Sequence, residues 1–276
     1  MQGRLGLIAG GGALPQKLVD ACRKTGRDVF VVALEGHADP EAVAGVPHAW
    51  ARLGAVGRII DLLRKAGVEE LVMAGKVERP SLSELRPDWR AVKFLAGRGG
   101  RLGSDDDLLN AIIRAIEEEE GFRVLAPESV LDDLSAPRGV LGRERPSPED
   151  EADICLGIVA ARRLGALDIG QAVVVQQGVV LAVEAAEGTD RLIRRAGELA
   201  RSGRGPVLVK ICKPQQSSRA DPPVIGPDTV RHAAAAGFAG IAVQAGGTLV
   251  LDRPEVIRIA DELGLFVLGV DLPVEP

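Results

Sequence analysis

The chain contains no tyrosine, and aromatic residues of all kinds make up only 3% of its 276 residues. Proteins that bind single-stranded nucleic acid stack the bases on aromatic side chains, so this composition argues against such a function. The net charge of −5 argues in the same direction, because surfaces that bind nucleic acid are basic. We therefore expect no nucleic-acid partner.

Cysteine and histidine are also scarce, with three residues of each type. Cys22, Cys155 and Cys212 lack metal-ligand spacing and no histidine has a partner at such spacing, so a zinc hydrolase is not expected. No apolar run reaches the roughly 18 residues of a membrane span, and no signal peptide is recognised. These absences predict a cytoplasmic protein with reduced thiols, in which carboxylates would take the general-base and metal-binding roles.

Apolar runs that predict strands alternate with helical patterns along the chain. In the first half, strands at 4–9 and 28–34 alternate with helices at 13–24 and 56–65, which indicates a parallel sheet covered by helices. In the second half, Gln176-Gln177-Gly178 predicts a hairpin and therefore some antiparallel pairing. The predicted fold class is α/β: an N-terminal Rossmann-like parallel sheet, a C-terminal mixed-sheet α/β domain, and a ligand cleft between them.

The composition changes between residues 135 and 148, where prolines, glycines and charges occur without periodicity. We therefore predict an N-terminal α/β domain with a glycine-rich loop over 1–134, a linker over 135–148, and a C-terminal α/β catalytic domain over 149–276. A second hairpin-like unit is predicted around Gly246-Gly247.

A glycine-rich loop separates the first predicted strand from the first helix. Gly10, Gly11 and Gly12 allow close backbone approach and leave N–H groups at a helix N-terminus, which is an arrangement that binds anions. The spacing fits neither the dinucleotide fingerprint G-x-G-x-x-G nor a P-loop. Tight packing of strand against helix is the alternative interpretation.

The richest polar segment directly follows a predicted strand at 207–211. It presents Lys210, Lys213, Gln216 and Arg219 together with the carboxylate of Asp221. This mixture suits a phosphate-bearing ligand and its metal ion. The alternative is a solvated loop whose charges face water.

A second polar loop follows the strand that ends near residue 185. It contains Glu184, Glu187, Gly188, Thr189 and Asp190, whose carboxylates and hydroxyl could face a ligand, because open α/β sheets collect ligands at such strand ends. Thr189 could equally cap the helix that follows. Gln171, just before the predicted hairpin, could pair with a base edge or a sugar, or satisfy a turn.

Six blocks, distributed in order over nearly the whole chain, carry a resemblance to a known family. They cover residues 6–15, 74–80, 105–109, 167–171, 181–190 and 213–221. With these blocks the chain resembles the UDP-2,3-diacylglucosamine pyrophosphatases of the LpxI type. The last two blocks are long and specific.

The resemblance implies Mg²⁺-dependent hydrolysis of UDP-2,3-diacylglucosamine to UMP and 2,3-diacylglucosamine 1-phosphate, a step of lipid A biosynthesis. It implies two α/β domains with the substrate held between them. The implied partners are the UDP-linked diacylated glucosamine, the inner membrane surface in transient contact, and a second copy of the chain in a homodimer.

By the same resemblance, Asp221 is the essential carboxylate, which either ligates Mg²⁺ or activates the attacking water. The implied substrate-binding residues are Gly10, Gly11, Gly12, Lys76, Gln171, Glu187, Gly188, Thr189, Asp190, Lys210, Lys213, Gln216 and Arg219. The chain departs from the family at Ser217, where an acidic residue is usual after the second glutamine of the lysine–proline block.

Two other functions remain open at this point. A strand–glycine–helix unit could belong to an NAD(P)-dependent oxidoreductase, although Glu35, the nearest candidate for ribose binding, is not clearly at the end of the second strand. The same residues could also bind a nucleotide sugar without hydrolysing it. A cofactor titration and a product assay would separate these functions.

Overall fold

The computed structural model describes residues 3–77, 88–90, 92, 105–131, 134–216, 219 and 222–272. The described residues form two compact units. The first contains residues of 1–132 together with those of 217–221, and the second contains residues of 133–216 and 222–276. Each unit is built around its own β-sheet with helices packed against it, which confirms the predicted α/β fold class.

The described strands and helices are numbered in chain order. The first unit contains β1 Arg4–Ala9, α1 Ala13–Thr25, β2 Val29–Leu34, α2 Pro40–Val43, β3 His48–Ala51, α3 Val56–Lys65, β4 Val68–Ala74, α4 Asp105–Glu118 and β5 Arg123–Leu125. The second contains β6 Gly139–Val140, α5 Pro148–Ala166, β7 Ala172–Gln176, β8 Val179–Val183, α6 Thr189–Glu198, β9 Val207–Lys210, β10 Val224–Ile225, α7 Pro227–Ala235, β11 Gly240–Gln244, β12 Leu249–Val250, α8 Arg253–Leu263 and β13 Phe266–Val270.

The sheet of the first unit is entirely parallel, with strand order β3-β2-β1-β4-β5. Its central strands read as nearly continuous apolar runs because helices cover both of their faces. On one side, Ile60 and Leu63 of α3 and Ile113 of α4 pack against Val32 and Leu71 of the sheet. The strand order reverses between β1 and β4, and the carboxyl ends of two such strands form the usual ligand crevice of an open α/β sheet.

The sheet of the second unit is mixed, with order β6-β13-β11-β9-β7-β8. Strands β9, β11 and β13 are parallel, whereas β7 runs against β9 and β8 runs against β7. Successive residues of β9 face opposite sides, so Leu208 packs among helices α6 to α8 while Val209 packs under α5. The β7–β8 turn has positive φ at Gln177 (52°) and Gly178 (73°), as the predicted two-residue hairpin requires.

Helix α5 secures that hairpin from one side. The Asp153 carboxylate, 5% exposed, accepts the N–H groups of Gln177 at 2.8 Å and Gly178 at 2.7 Å. The helix begins with the Ser147–Asp150 capping box that satisfies its first N–H groups. In the described residues, no helix is both long enough and apolar enough to cross a membrane.

Two sequence-based expectations differ from the structure. The unit around Gly246-Gly247 is not a hairpin, because β11 lies in the six-stranded sheet while β12 pairs in parallel with β10. Residues 135–148, expected to be an aperiodic linker, include β6, which pairs with β13, and the Ala136 N–H bonds to the Thr248 carbonyl. The division into 1–134, 135–148 and 149–276 stays a prediction.

Gly75 is expected to tolerate no side chain. Its φ is 97°, and an added Cβ would lie 2.7 Å from the Gly11 carbonyl oxygen and 2.8 Å from the Gly10 carbonyl carbon. We expect Gly75→Ala to lower the free energy of unfolding by about 3 kcal/mol, because backbone strain and a backbone clash combine. Urea denaturation measures the loss.

Gly67→Ala is the matched control, since Gly67 has φ 69° but nothing within 4 Å of an added Cβ. It should cost about 1 kcal/mol, from backbone strain alone. Equal losses in the two variants would show that the close approach at Gly75 has no energetic weight.

Candidate functional site

Polar side chains from four strands lie together at one edge of the six-stranded sheet, where β9 ends; we call it the polar edge. Lys210 ends β9, Gln244 ends β11, and Glu184 directly follows β8. Because β7 runs in the opposite direction, its first residue, Ala172, pairs with Lys210 and brings Gln171 to the same edge. Residues far apart in the sequence therefore meet where ligands bind to open α/β sheets.

The centre of this edge is a buried hydrogen-bonded network. Glu184 and Lys210 are only 6% and 5% exposed. The Lys210 ammonium donates to Thr189 Oγ1 at 2.8 Å, and the Thr189 hydroxyl donates to Glu184 Oε1 at 2.7 Å. The other carboxylate oxygen of Glu184 accepts the Gln171 N–H at 3.3 Å. A buried cation and a buried anion are thus joined through one hydroxyl group, which offsets part of the cost of burying each charge.

The lysine–proline segment continues from this network. Gln216 donates from Nε2 to Gln171 Oε1 at 3.0 Å and accepts the Lys213 N–H on Oε1 at 3.0 Å. The Lys213 ammonium forms an ion pair with Asp168 at 2.5 Å, and both side chains are largely buried. Asp168 has φ 55°, a left-handed conformation that aspartate adopts more readily than most residues. The structure therefore brings together Gln171, Lys213 and Gln216, as well as Thr189 and Lys210.

Two residues of the second polar loop do not join this network. Glu187 accepts from Arg195 Nη2 at 2.5 Å and from the Ala185 N–H at 3.1 Å. The backbone N–H of Glu187 itself, then the Arg195 guanidinium, hold the pKa of the Glu187 carboxyl below its ordinary value. Asp190 lies on the surface, 3.2 Å from His232 Nδ1. Gly188 precedes α6 with φ 79°, a conformation that favours glycine.

In the first unit, the glycine-rich loop lies at the strand-order reversal. The Gly10 N–H bonds to the Ala74 carbonyl, and Gly11 and Lys76 exchange two backbone hydrogen bonds of 2.9 and 2.8 Å. Two of the three glycine N–H groups that the sequence suggested for anion binding are therefore already used. Gly12, at the N-cap of α1, has φ 88°, and the Lys76 side chain is exposed.

Arg219 lies in the first unit, where its Nη1 donates to Glu117 Oε1 of α4 at 2.8 Å. Asp221, the predicted catalytic and metal-binding residue, lies outside the described residues, as does Ser217. Their assignments stay predictions.

A bound metal ion needs several donor groups close together, usually from His, Cys, Asp or Glu side chains. Among the described residues, no group of three or more such side chains could hold a metal ion. The carboxylates nearest the polar edge, Glu184 and Asp168, are bonded to Thr189 and Lys213 respectively. The described part of this edge therefore does not by itself fit Mg²⁺.

Two carboxylates of this edge are missing from the predicted substrate-binding set, although Glu184 belongs to the polar loop that the sequence indicates. Glu184 and Asp168 are the carboxylates that hold Thr189 and Lys213, and both were absent from the predicted binding set. Each precedes or follows a strand at the polar edge, which is a detectable signal. What the sequence does not reveal is that both carboxylates bind protein groups.

Comparisons with known proteins agree with this architecture. Residues 4–134 match the LpxI N-terminal domain family, and residues 137–268 match the LpxI C-terminal domain family. The chain is 45% identical over 284 residues to the UDP-2,3-diacylglucosamine pyrophosphatase LpxI of Caulobacter vibrioides, with 99% of each chain covered.

Similarity to solved structures is much weaker. The UDP-glucose 4-epimerase of Thermus thermophilus in complex with NAD is 19% identical, with a TM-score of 0.29 and coverage of 53% of this chain and 41% of that one. CobK precorrin-6A reductase is 15% identical, with a TM-score of 0.38 and coverage of 100% and 90%. Neither value supports an argument about this protein. The matches to both domain families and the relative that aligns from end to end show instead that this chain belongs to the LpxI family.

Proposed function

We propose that this protein hydrolyses the pyrophosphate of UDP-2,3-diacylglucosamine, giving UMP and 2,3-diacylglucosamine 1-phosphate in lipid A biosynthesis. The observation that carries the proposal is the 45% identity, over 99% of both chains, with a relative named as that pyrophosphatase. Because the alignment spans both domains, each domain of this chain has a counterpart in the relative.

The polar edge of the second unit supports the proposal chemically. Lys210 and Lys213 bring two ammonium groups to the carboxyl end of β9, and α6 begins at Thr189 beside one of them. Phosphoryl oxygens gain negative charge as a diphosphate is cleaved, so fixed cations and a helix N-terminus favour that step. Because these groups are partly shielded from water, their attraction to phosphate is stronger than at an open surface.

Asp221 and Mg²⁺ complete the proposal. By the family resemblance, Asp221 would be the essential carboxylate that holds the metal ion or activates the water. Bound Mg²⁺ would neutralise charge on the phosphoryl oxygens. Mg²⁺ and Asp221 enter from the family resemblance, since the described residues supply no metal site of their own. Contact with the inner membrane surface and a homodimer belong to the same set of proposals.

The decisive assay measures UMP release from UDP-2,3-diacylglucosamine by chromatography. We expect release in Mg²⁺, loss of at least about 100-fold in excess EDTA, and recovery when Mg²⁺ is restored. Binding of the substrate without release of UMP would instead identify a nucleotide-sugar binding protein. Full activity in EDTA would remove the metal from the proposal.

A further inference from the structure

Glu184 is a buried carboxylate to which neither the family resemblance nor the proposed chemistry assigns a role. It is 6% exposed, and its two oxygens accept hydrogen bonds from the Thr189 hydroxyl and the Gln171 N–H. An ionised carboxylate is costly to bury unless opposite charge and hydrogen bonds compensate for it. Along these hydrogen bonds, the nearest positive charge is the Lys210 ammonium, which is linked to Glu184 through the Thr189 hydroxyl.

In the hydrogen bonds that join Lys210, Thr189 and Glu184, the type of each group decides which one donates and which one accepts. An ammonium group can only donate, and an ionised carboxylate can only accept. Thr189 has a single hydroxyl proton, so it donates that proton to Glu184 and presents its lone pairs to Lys210. If the Glu184 charge were removed, the hydroxyl would lose the strong acceptor that orients it.

The position of Lys210 also requires an explanation. Its ammonium contacts Thr189, the first residue of α6, and the positive end of a helix dipole repels a cation. A buried cation beside that helix end is stable only with nearby negative charge. Glu184 supplies one negative charge in the free protein, and a phosphate group at the same edge would supply more.

We propose that Glu184 is a positioning residue that acts through the Thr189 hydroxyl to hold the Lys210 ammonium at the polar edge, ready to contact a phosphate group of the substrate. This inference rests on the proposed function, because it assumes that a diphosphate is bound and cleaved there. Glu184 does not itself touch the substrate. The proposed contribution to phosphate binding runs by way of Thr189 and Lys210.

Four variants test the role of Glu184. Glu184→Gln removes the charge at constant size, Thr189→Val removes the hydroxyl at constant size, and Thr189→Ser retains it. We expect kcat/KM for UMP release to fall about tenfold or more in Glu184→Gln and in Thr189→Val, and to stay within about threefold in Thr189→Ser. The double variant Glu184→Gln/Thr189→Val should be no slower than Thr189→Val alone, because the proposed effect of the carboxylate on Lys210 runs through the hydroxyl.

Glu198→Gln is the control, since Glu198 is an exposed carboxylate on the same helix, and it should keep normal kcat/KM. Circular dichroism and urea denaturation identify variants that fail to fold, and Thr189→Ser keeps the test informative if Thr189→Val does. A stability loss in Glu184→Gln with unchanged kcat/KM would overturn the inference and leave a purely structural role. Additive losses in the double variant would also overturn it. If the unmodified protein releases no UMP, the proposed function itself fails, which is a distinguishable result.

Discussion

Asp221→Ala is expected to lower the rate of UMP release by about 10³-fold, the usual scale for removing a group that activates the attacking water. Loss of a metal ligand would have an effect of at least similar size, because charge on the phosphoryl oxygens would no longer be neutralised. Substrate affinity should change little, since the other binding groups remain. Single-turnover kinetics and equilibrium binding of the substrate separate the two effects.

Asp228→Ala is the matched control for that experiment. Asp228 is an aspartate close by in the sequence, its side chain is 83% exposed, and it forms a surface ion pair with Arg231 of the same helix. It should keep a rate within about twofold of the unmodified protein, as surface ion pairs contribute little. Near-normal turnover in Asp221→Ala would refute the assignment of Asp221.

UDP-N-acetylglucosamine is expected to be a much poorer substrate than UDP-2,3-diacylglucosamine. Burying one methylene group contributes about 0.8 kcal/mol, so five buried methylenes would favour the diacylated compound by about 4 kcal/mol, or about 10³-fold in kcat/KM. With aromatic residues at 3% of the chain, the groove for the acyl chains would be lined by leucine, valine, isoleucine and alanine.

A series of substrates with progressively shorter acyl chains measures this preference. The logarithm of kcat/KM should fall in proportion to the number of methylenes removed until the chains no longer reach the groove. Equal rates for the diacylated and acetylated sugars would instead describe a general nucleotide-sugar pyrophosphatase.

Much of the fold could be predicted because the longer elements have strong local signals. Strand β2 is a continuous apolar run and β1 is one after Arg4, α1 and α3 have clear helical periodicity, and the Gln177-Gly178 turn requires residues that accept positive φ. Strands β10 and β12 have two residues each, too few for any periodicity to be detected. Strand β3 was missed because its exposed His48 and half-buried Trp50 do not resemble a buried strand.

The site was predicted less completely than the fold, for a physical reason. Lys210, Gln171 and Thr189 were identified because polar residues at strand ends are visible in the sequence. Which of these residues bond to each other depends on the register of β7 against β9, a pairing across 38 positions of sequence for Ala172 and Lys210. No local pattern encodes that register, so the Thr189–Glu184 hydrogen bond and the Lys213–Asp168 ion pair could not be predicted from the sequence.

The reversed direction of β7 also has a consequence for the order of events during synthesis. The polar edge needs Gln171, Glu184 and Lys210 in place, and the Cys212 N–H is further held by Gln244 Oε1 at 2.9 Å. About 70 residues after Gln171 must therefore emerge from the ribosome before that edge can be completed, whereas the strands of the first sheet can pair much earlier. The proposed phosphate-binding edge would thus form late, and a nascent chain halted before β11 would hold the first sheet without a finished second one.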